Sequence, residues 1–379
     1  MPVSPLIAAQ GTYPFVRIDQ AKRAAAARGV EVIDFGQGDP REPTDPMIRQ
    51  ALADGVRERM GYPAAVGLPE LREAIAGWVE RRFGVTLDPD SELIPTYGSK
   101  EAIFGFAQVA VDRGTGKDVV VVTEPGYPVP ARGAQFAGAE VVGLPLLEAN
   151  AFLPDLAAVE WERVALLWLN YPNNPTGATA PLAFLEHAAG LAREHDFLLC
   201  SDEAYSEVWF TEPPHSALEV ADRSNVVVFQ TLSKRSAMTG YRSGFVAASP
   251  AVIAALRQFR PTVGTAPQEF VQRASIVAWG DEAHVERGRR AFGRKRELLL
   301  GALRSRGWRV AASEATMFLW VEVPPPESAE ACATRLLEHG IVVTPGTFLG
   351  VHGEGFVRFA LVPTLEECER AAAILGDVL

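Results

Sequence analysis

Four short apolar runs, Val119–Val122, Val164–Leu169, Phe197–Cys200 and Val226–Phe229, each end in turn-forming or polar residues. Runs this short suit strands buried on both faces, the kind that fill a parallel sheet, and are too short for packed helices. Between them the apolar spacing becomes helical. Ala102–Val111 and Leu182–Glu194 read as helices, the second with Pro181 at its first position. Strands alternating with helices imply an α/β unit built on a mainly parallel sheet with helices on both sides.

From about Gly280 the texture changes. A long charged helical pattern, Glu282–Arg304, is followed by short strand patterns at Phe318–Val323, Ile341–Thr344 and Phe356–Leu361, which is an α+β arrangement. A chain of 379 residues exceeds the size at which a single core stops growing, so two domains are expected. The boundaries read as an N-terminal arm, 1–43, joining a small domain made by 280–379, around a large domain at 44–279. No repeat or low-complexity linker separates them.

Composition narrows the function. The chain carries 36 Lys and Arg against 47 Asp and Glu, a net charge of −11, and no basic run. A phosphate-binding surface for nucleic acid is therefore not expected. No stretch approaches the roughly 18 apolar residues of a membrane span, and the first residues lack a secretory pattern, so the cytoplasm is the expected compartment. Cys200, Cys332 and Cys368 are far apart and read as buried thiols. None of His187, His195, His215, His284, His339 and His352 shows metal-ligand spacing, and no metal is expected.

In open α/β sheets ligands bind beyond the carboxyl ends of the strands. Three runs are followed by polar segments there: Asn170-Tyr171-Pro172-Asn173-Asn174-Pro175-Thr176-Gly177, Ser201-Asp202-Glu203-Ala204-Tyr205 and Thr231-Leu232-Ser233-Lys234. An aspartate at a buried strand end calls for a cationic partner. A lysine in a dry pocket loses its proton readily and can bond to a carbonyl carbon. Pyridoxal phosphate needs both, a lysine to hold its carbonyl and an acid to hold its ring nitrogen protonated. For the phosphate, Tyr97-Gly98-Ser99-Lys100-Glu101 precedes a helix whose first N–H groups can face an anion. Arg242, within Gly240-Tyr241-Arg242-Ser243-Gly244, offers a bidentate guanidinium.

These pieces occur in an order that resembles the class I/II aminotransferase family of fold-type I pyridoxal-phosphate enzymes. The matching segments are Gly36-Gln37-Gly38-Asp39-Pro40, Tyr62…Gly67…Leu71-Arg72, Gly98-Ser99-Lys100, Pro125-Gly126-Tyr127-Pro128, Asn174-Pro175-Thr176-Gly177, Asp202-Glu203-Ala204-Tyr205, Ser233-Lys234, the Arg242 segment and Val357-Arg358-Phe359. Each is weak alone; the ordered set spans nearly the whole chain. The resemblance implies that Lys234 bears the cofactor and moves the substrate proton. It also implies that Asp202 pairs with the ring nitrogen, that Asn174 and Tyr205 bond the phenolic oxygen, and that Tyr127 stacks on the ring. Gly98, Ser99, Lys100, Ser233 and Arg242 would hold the phosphate, with Tyr62 reaching it from the other subunit of a homodimer. Arg358 would clamp the substrate α-carboxylate, helped by the Gly38 backbone and Asn174.

Ordinary readings stand beside these. A lone lysine is usually a solvated surface residue, Asp202 could cap a turn, and Asn174–Gly177 is a turn composition in its own right. Arg242 and Arg358 could be surface ion pairs of little value, although Arg358 lies between apolar neighbours, where an unpaired charge is costly. Tyr13-Pro14-Phe15 and the run Gly98–Gln108 resemble the diaminopimelate group, which implies an amino-acid donor of that skeleton, best its N-succinyl derivative in lysine biosynthesis, with 2-oxoglutarate as acceptor. Aspartate, alanine or aromatic amino acids are the alternative substrates. Carbon–sulfur β-elimination on the same residues is a rival reaction, and a ligand-sensing regulator is the last reading, expected to need a DNA-binding module for which no segment is seen.

Overall fold

The computed structural model describes residues 4–9, 11 and 14–378; Tyr13 lies outside the described residues. In chain order the strands are β1 (Ile33–Asp34), β2 (Leu93–Thr96), β3 (Val119–Glu124), β4 (Glu140–Pro145), β5 (Val164–Asn170), β6 (Leu198–Asp202), β7 (Val226–Thr231), β8 (Gly244–Ala248), β9 (Val310–Ala312), β10 (Phe318–Glu322), β11 (Ile341–Val342), β12 (Thr344–Pro345) and β13 (Phe356–Ala360). The four apolar runs are β3, β5, β6 and β7. They lie in one seven-stranded sheet of order β2-β8-β7-β6-β5-β3-β4, in which β8 alone runs against its neighbours.

The reason these runs are continuous rather than alternating is visible in β7. Val226 and Val228 pack into a core shared with helices Pro46–Gly55, Pro69–Phe83, Leu182–Glu194 and Glu269–Gly280, while Val227 and Phe229 pack into another shared with Ser99–Ala110 and Pro250–Thr262. Successive side chains of a strand point to opposite faces, so a sheet covered on both must be apolar at every position. Each fully buried Val or Phe contributes about 1.5–3 kcal/mol, and Val227, Val228 and Phe229 are all completely buried.

A four-stranded antiparallel sheet, β12-β13-β10-β9, shares its core with helices Ala283–Ser305, Ala329–Glu338 and Leu365–Val378. The N-terminal segment reaches this part of the molecule through β1, which pairs in parallel with β11, and through Phe35, whose carbonyl accepts from Ala360 N at 2.8 Å. Two expectations need correction. Ile341–Thr344 is not one strand: β11 pairs with β1, whereas β12 pairs with β13 in the other sheet. Pro181 caps its helix rather than starting it, because its ψ of 149° is extended.

β5, β6 and β7 are adjacent and parallel, with Asn170 opposite Asp202 and Asp202 opposite Phe229. Their carboxyl ends therefore open on one edge, and the three polar segments that follow them meet there.

Candidate active site

That edge opens into a cavity of about 390 Å3. Of the residues singled out from sequence, Gly38, Ser99, Lys100, Tyr127, Asn174, Asp202, Tyr205, Ser233, Lys234, Arg242 and Arg358 all line it. Two do not. Gly98 sits behind Arg242, and Tyr62 is fully exposed to solvent in the segment before helix Pro69–Phe83.

The floor is Asp202, the last residue of β6, which is 5% exposed. Its carboxylate accepts from Ala204 N at 3.2 Å, so the turn-capping reading of this aspartate holds as far as that one bond. Burial dominates over that bond and pushes the carboxyl up to about 7. Asn170, which sequence reasoning did not single out, braces the floor: its side-chain N–H donates to Asp202 O at 2.8 Å, and its Oδ1 accepts from Asn174 N at 2.9 Å. A polar residue one position before the turn at the end of β5 was the available signal.

One wall carries Arg358, from the middle of β13 and 1% exposed. It donates to Asn174 Oδ1 and Gly36 O, both at 2.8 Å, and lies 4.3 Å over the Phe318 ring. Phe318 in turn meets Tyr205 edge-on at 5.4 Å. The surface ion-pair reading of Arg358 is thereby excluded. With the carboxamide oxygen of Asn174 taken by Arg358, its NH2 remains as a donor. Thr344, another residue missed from sequence, holds the Gly36 carbonyl at 2.6 Å and so fixes the loop that Arg358 grips. Burial and the charge of Asp202 raise the Tyr205 phenol, while Arg358 lowers it.

The opposite wall is a set of donors. Gly98, at φ 75°, turns the chain into helix Ser99–Ala110, a conformation that glycine reaches without strain. A Cβ at Gly98 would come within 2.5 Å of Arg242 Nη2, and one at Gly244 within 3.2 Å of Ser99 N. Only glycines let the guanidinium and the helix start approach one another. Thr231 caps the one-turn helix Leu232–Arg235 by accepting from Ser233 N at 3.1 Å, and it also lines the cavity. Ser99, Thr231 and Ser233 hydroxyls, the Ser99–Ala110 helix start and the Arg242 guanidinium thus converge, a chemistry suited to an oxyanion. Lys100 adds charge; its own ammonium is lowered by burial and by Arg242 and Arg132.

Between floor and donors stands Lys234. Its Nζ donates to Gly38 O, and burial, followed by the charges of Arg358 and Arg242, brings its ammonium down to about 8 against the raising effect of Asp39. Asp39 and Gln37 line the same cavity and complete the loop from Gly36. A buried carboxyl that lacks compensation for its burial, a lysine poised to lose its proton and an oxyanion cradle fit the three ends of pyridoxal phosphate: ring nitrogen, carbonyl and phosphate.

Elsewhere, Cys200, Cys332 and Cys368 are buried and free. No helix among the described residues is long and apolar enough to cross a membrane.

The family model for aminotransferase class I and II matches residues 30–375. The LL-diaminopimelate aminotransferase of Dehalococcoides mccartyi (strain 195) is 40% identical over 374 residues, covering 96% of both chains. An aminotransferase from Neisseria meningitidis Z2491 superposes with a TM-score of 0.92 at 34% identity, each chain fully covered. A structure from Thermus thermophilus, described as a probable N-succinyldiaminopimelate aminotransferase, gives 0.89 at 32% identity over 96% of this chain and all of that one. Enzymes of this family use pyridoxal phosphate. The order of the sequence segments, the arrangement of the strands and these full-length matches agree that the chain belongs to the class I and II aminotransferase family.

Proposed function

We propose that this aminotransferase holds pyridoxal 5'-phosphate on Lys234 and moves an amino group between a diaminopimelate-class amino acid and a 2-oxo acid, with glutamate and 2-oxoglutarate as the second pair. The observation that carries the reading is the meeting of Lys234, Asp202 and Arg358 in one cavity, each taken out of bulk water. When bound, the cofactor supplies a carbonyl carbon that condenses with amines and a ring that takes up the electron pair of a broken C–H bond.

Around it the residues divide the work. Ser99, Ser233, Arg242 and the start of helix Ser99–Ala110 grip the phosphate, with Lys100 adding charge. Asp202, ionised against a cation, keeps the ring nitrogen protonated and so strengthens its pull on electrons. Tyr205 and the Asn174 NH2 bond the phenolic oxygen, and Tyr127 covers one ring face. Arg358, aimed by Asn174, Gly36 and Phe318, receives the substrate α-carboxylate as a bidentate partner, a geometry lysine could not reproduce. That contact and the Gly38 backbone orient the Cα–H bond towards Lys234. Lys234 Nζ, brought down to about 8 from 10.5, is far more available as a free amine than an ordinary lysine, predominantly so above pH 8, and accepts the Cα proton.

The diaminopimelate skeleton is supported by the names of full-length relatives, LL-diaminopimelate aminotransferases among them. These favour the free LL compound as donor, with the N-succinyl derivative second on the strength of the Thermus structure; either use belongs to lysine biosynthesis. We further propose a homodimer in which Tyr62 completes the phosphate site of the other subunit. Its full exposure supports this, as does an apolar groove beside Lys100 and Arg242 formed by Ile7, Phe104, Phe136, Phe259 and Val263. The domain division at 1–43, 44–279 and 280–379 is supported by the separate cores of the two main sheets. The cytoplasm is the proposed compartment, in keeping with three unpaired thiols.

The test is a panel of amino donors added singly to the purified, cofactor-loaded protein. Conversion of the visible cofactor band by LL-diaminopimelate and by glutamate, each with release of its 2-oxo acid, supports the reading. Conversion by N-succinyldiaminopimelate alone selects the second donor, and release of pyruvate and ammonia from a cysteine-type substrate with the band unchanged would replace transamination by β-elimination.

A further inference from the structure

Lys234 stands on a helix of a single turn, Leu232–Arg235. One turn of helix is not stable by itself, so the direction of the lysine depends on what holds the ends of that turn. Thr231 holds the first end. At the other end Ser236 N–H closes the turn onto Leu232 O at 3.0 Å. The Ser236 hydroxyl, 3% exposed as a residue, lies 2.8 Å from His284 Nε2. His284 is itself buried, and Asp281 grips it twice, through its backbone N–H at 2.9 Å and through Nδ1 at 2.7 Å.

With the Nδ1–H donating to the Asp281 carboxylate, the neutral ring presents Nε2 as an acceptor to the Ser236 hydroxyl. Burial and the neighbouring Arg235 keep the ring neutral, against the opposing charges of Asp281 and Asp45. Arg287 on the same helix is paired with Asp45, and Glu282 with Arg235. Lys234, Ser236 and His284 also line one side cavity of about 260 Å3.

We propose that His284 is a positioning residue for Lys234: oriented by Asp281, it fixes the Ser236 hydroxyl and with it the trailing end of the turn that carries the lysine. The inference rests on the reading of Lys234 as the cofactor-bearing lysine. Loss of the visible band in Lys234→Ala checks that reading separately, whatever His284 does.

The test compares His284→Leu, His284→Gln and Ser236→Ala holoenzymes in three measurements: the pH midpoint of the visible cofactor band, kcat and KM for glutamate, and Tm. A misdirected lysine is expected to move the band midpoint by about one pH unit and lower kcat about tenfold, with KM changed less than about twofold, since small displacements of a reacting group are costly. Glutamine, which can still meet the Ser236 hydroxyl, is expected to restore most of both. Ser236→Ala is expected to match His284→Leu, with no further loss in the double variant. If His284→Leu does not fold, Ser236→Ala decides alone. A lowered Tm with unchanged band midpoint and kcat overturns the proposal and leaves His284 as a structural anchor in the first turn of helix Ala283–Ser305.

Discussion

Asp202→Asn is expected to stabilise the cofactor-free protein and weaken its hold on the cofactor. The carboxyl is 5% exposed, and burial raises it from 3.8 to about 7. Between those values the folded state binds more protons at this site than the unfolded state, so stability falls as pH rises from about 4 to about 7. At about 1.36 kcal/mol per tenfold change in proton affinity, the ionised aspartate costs the cofactor-free fold on the order of 4 kcal/mol at pH 8. For 379 residues at about 2.1 cal/mol/K per residue, that is about 5 °C in Tm. The amide keeps the bond from Ala204 N and has no charge to bury. Calorimetry of both cofactor-free proteins at pH 5 and pH 8 is the assay, with the gap in Tm opening as pH rises. Glu203, also buried and raised to about 7, is common to both and drops out of the comparison. Cofactor binding works the other way and narrows the gap: losing a charged hydrogen bond worth about 1.5–3 kcal/mol weakens retention by roughly 10- to 100-fold. Equal Tm for the two proteins at both pH values would refute the reasoning, because the carboxylate would then lie in a site already supplied with compensating charge.

Four further outcomes are expected of the site and the assembly. Covalent capture of pyridoxal phosphate by the cofactor-free protein should rise with pH to a midpoint near 8, the value to which burial brings Lys234; stopped-flow absorbance reads this, and Asp39→Asn should lower the midpoint by removing the one raising charge. Arg358→Lys should cut kcat/KM for glutamate by about 100-fold or more, since a point charge replaces a bidentate, fully buried partner; steady-state kinetics checks it. Gly98→Ala adds a Cβ that meets Arg242 Nη2 at 2.5 Å, at φ 75°. It should loosen cofactor binding about tenfold while costing the fold about 1–3 kcal/mol, because Gly98 sits in a backbone region that side-chain-bearing residues enter only with strain, read by equilibrium dialysis and Tm. Sedimentation should give a dimer, and Tyr62→Phe should lower cofactor affinity in that dimer.

Much of this was legible in the chain. Apolar runs without alternation, such as Val226–Phe229, could satisfy only a sheet covered on both faces, and the residues after them had to emerge at one edge. That logic located Asp202, Asn174 and Lys234 without any tertiary information. It could not find residues that act by holding others. Asn170 and Thr344 are ordinary polar residues in sequence, and their importance lies in bonds to Asp202 O and Gly36 O that form only when distant segments meet. Thr231 reads as part of the polar segment after a strand, with no role of its own, because its capping of the Lys234 turn depends on a one-turn helix too short to leave a periodicity. The split of Ile341–Thr344 between two sheets was equally invisible: four residues of strand composition carry no mark of which partners they pair with.

The most direct test of the account is to reduce the holoenzyme with borohydride, digest it and locate the cofactor mass by peptide sequencing. The label is expected on Lys234, and is expected to be lost from a parallel sample whose visible band glutamate has converted before reduction. A label on Lys100 or any other lysine, or no label at all with transaminase activity intact, would contradict the account.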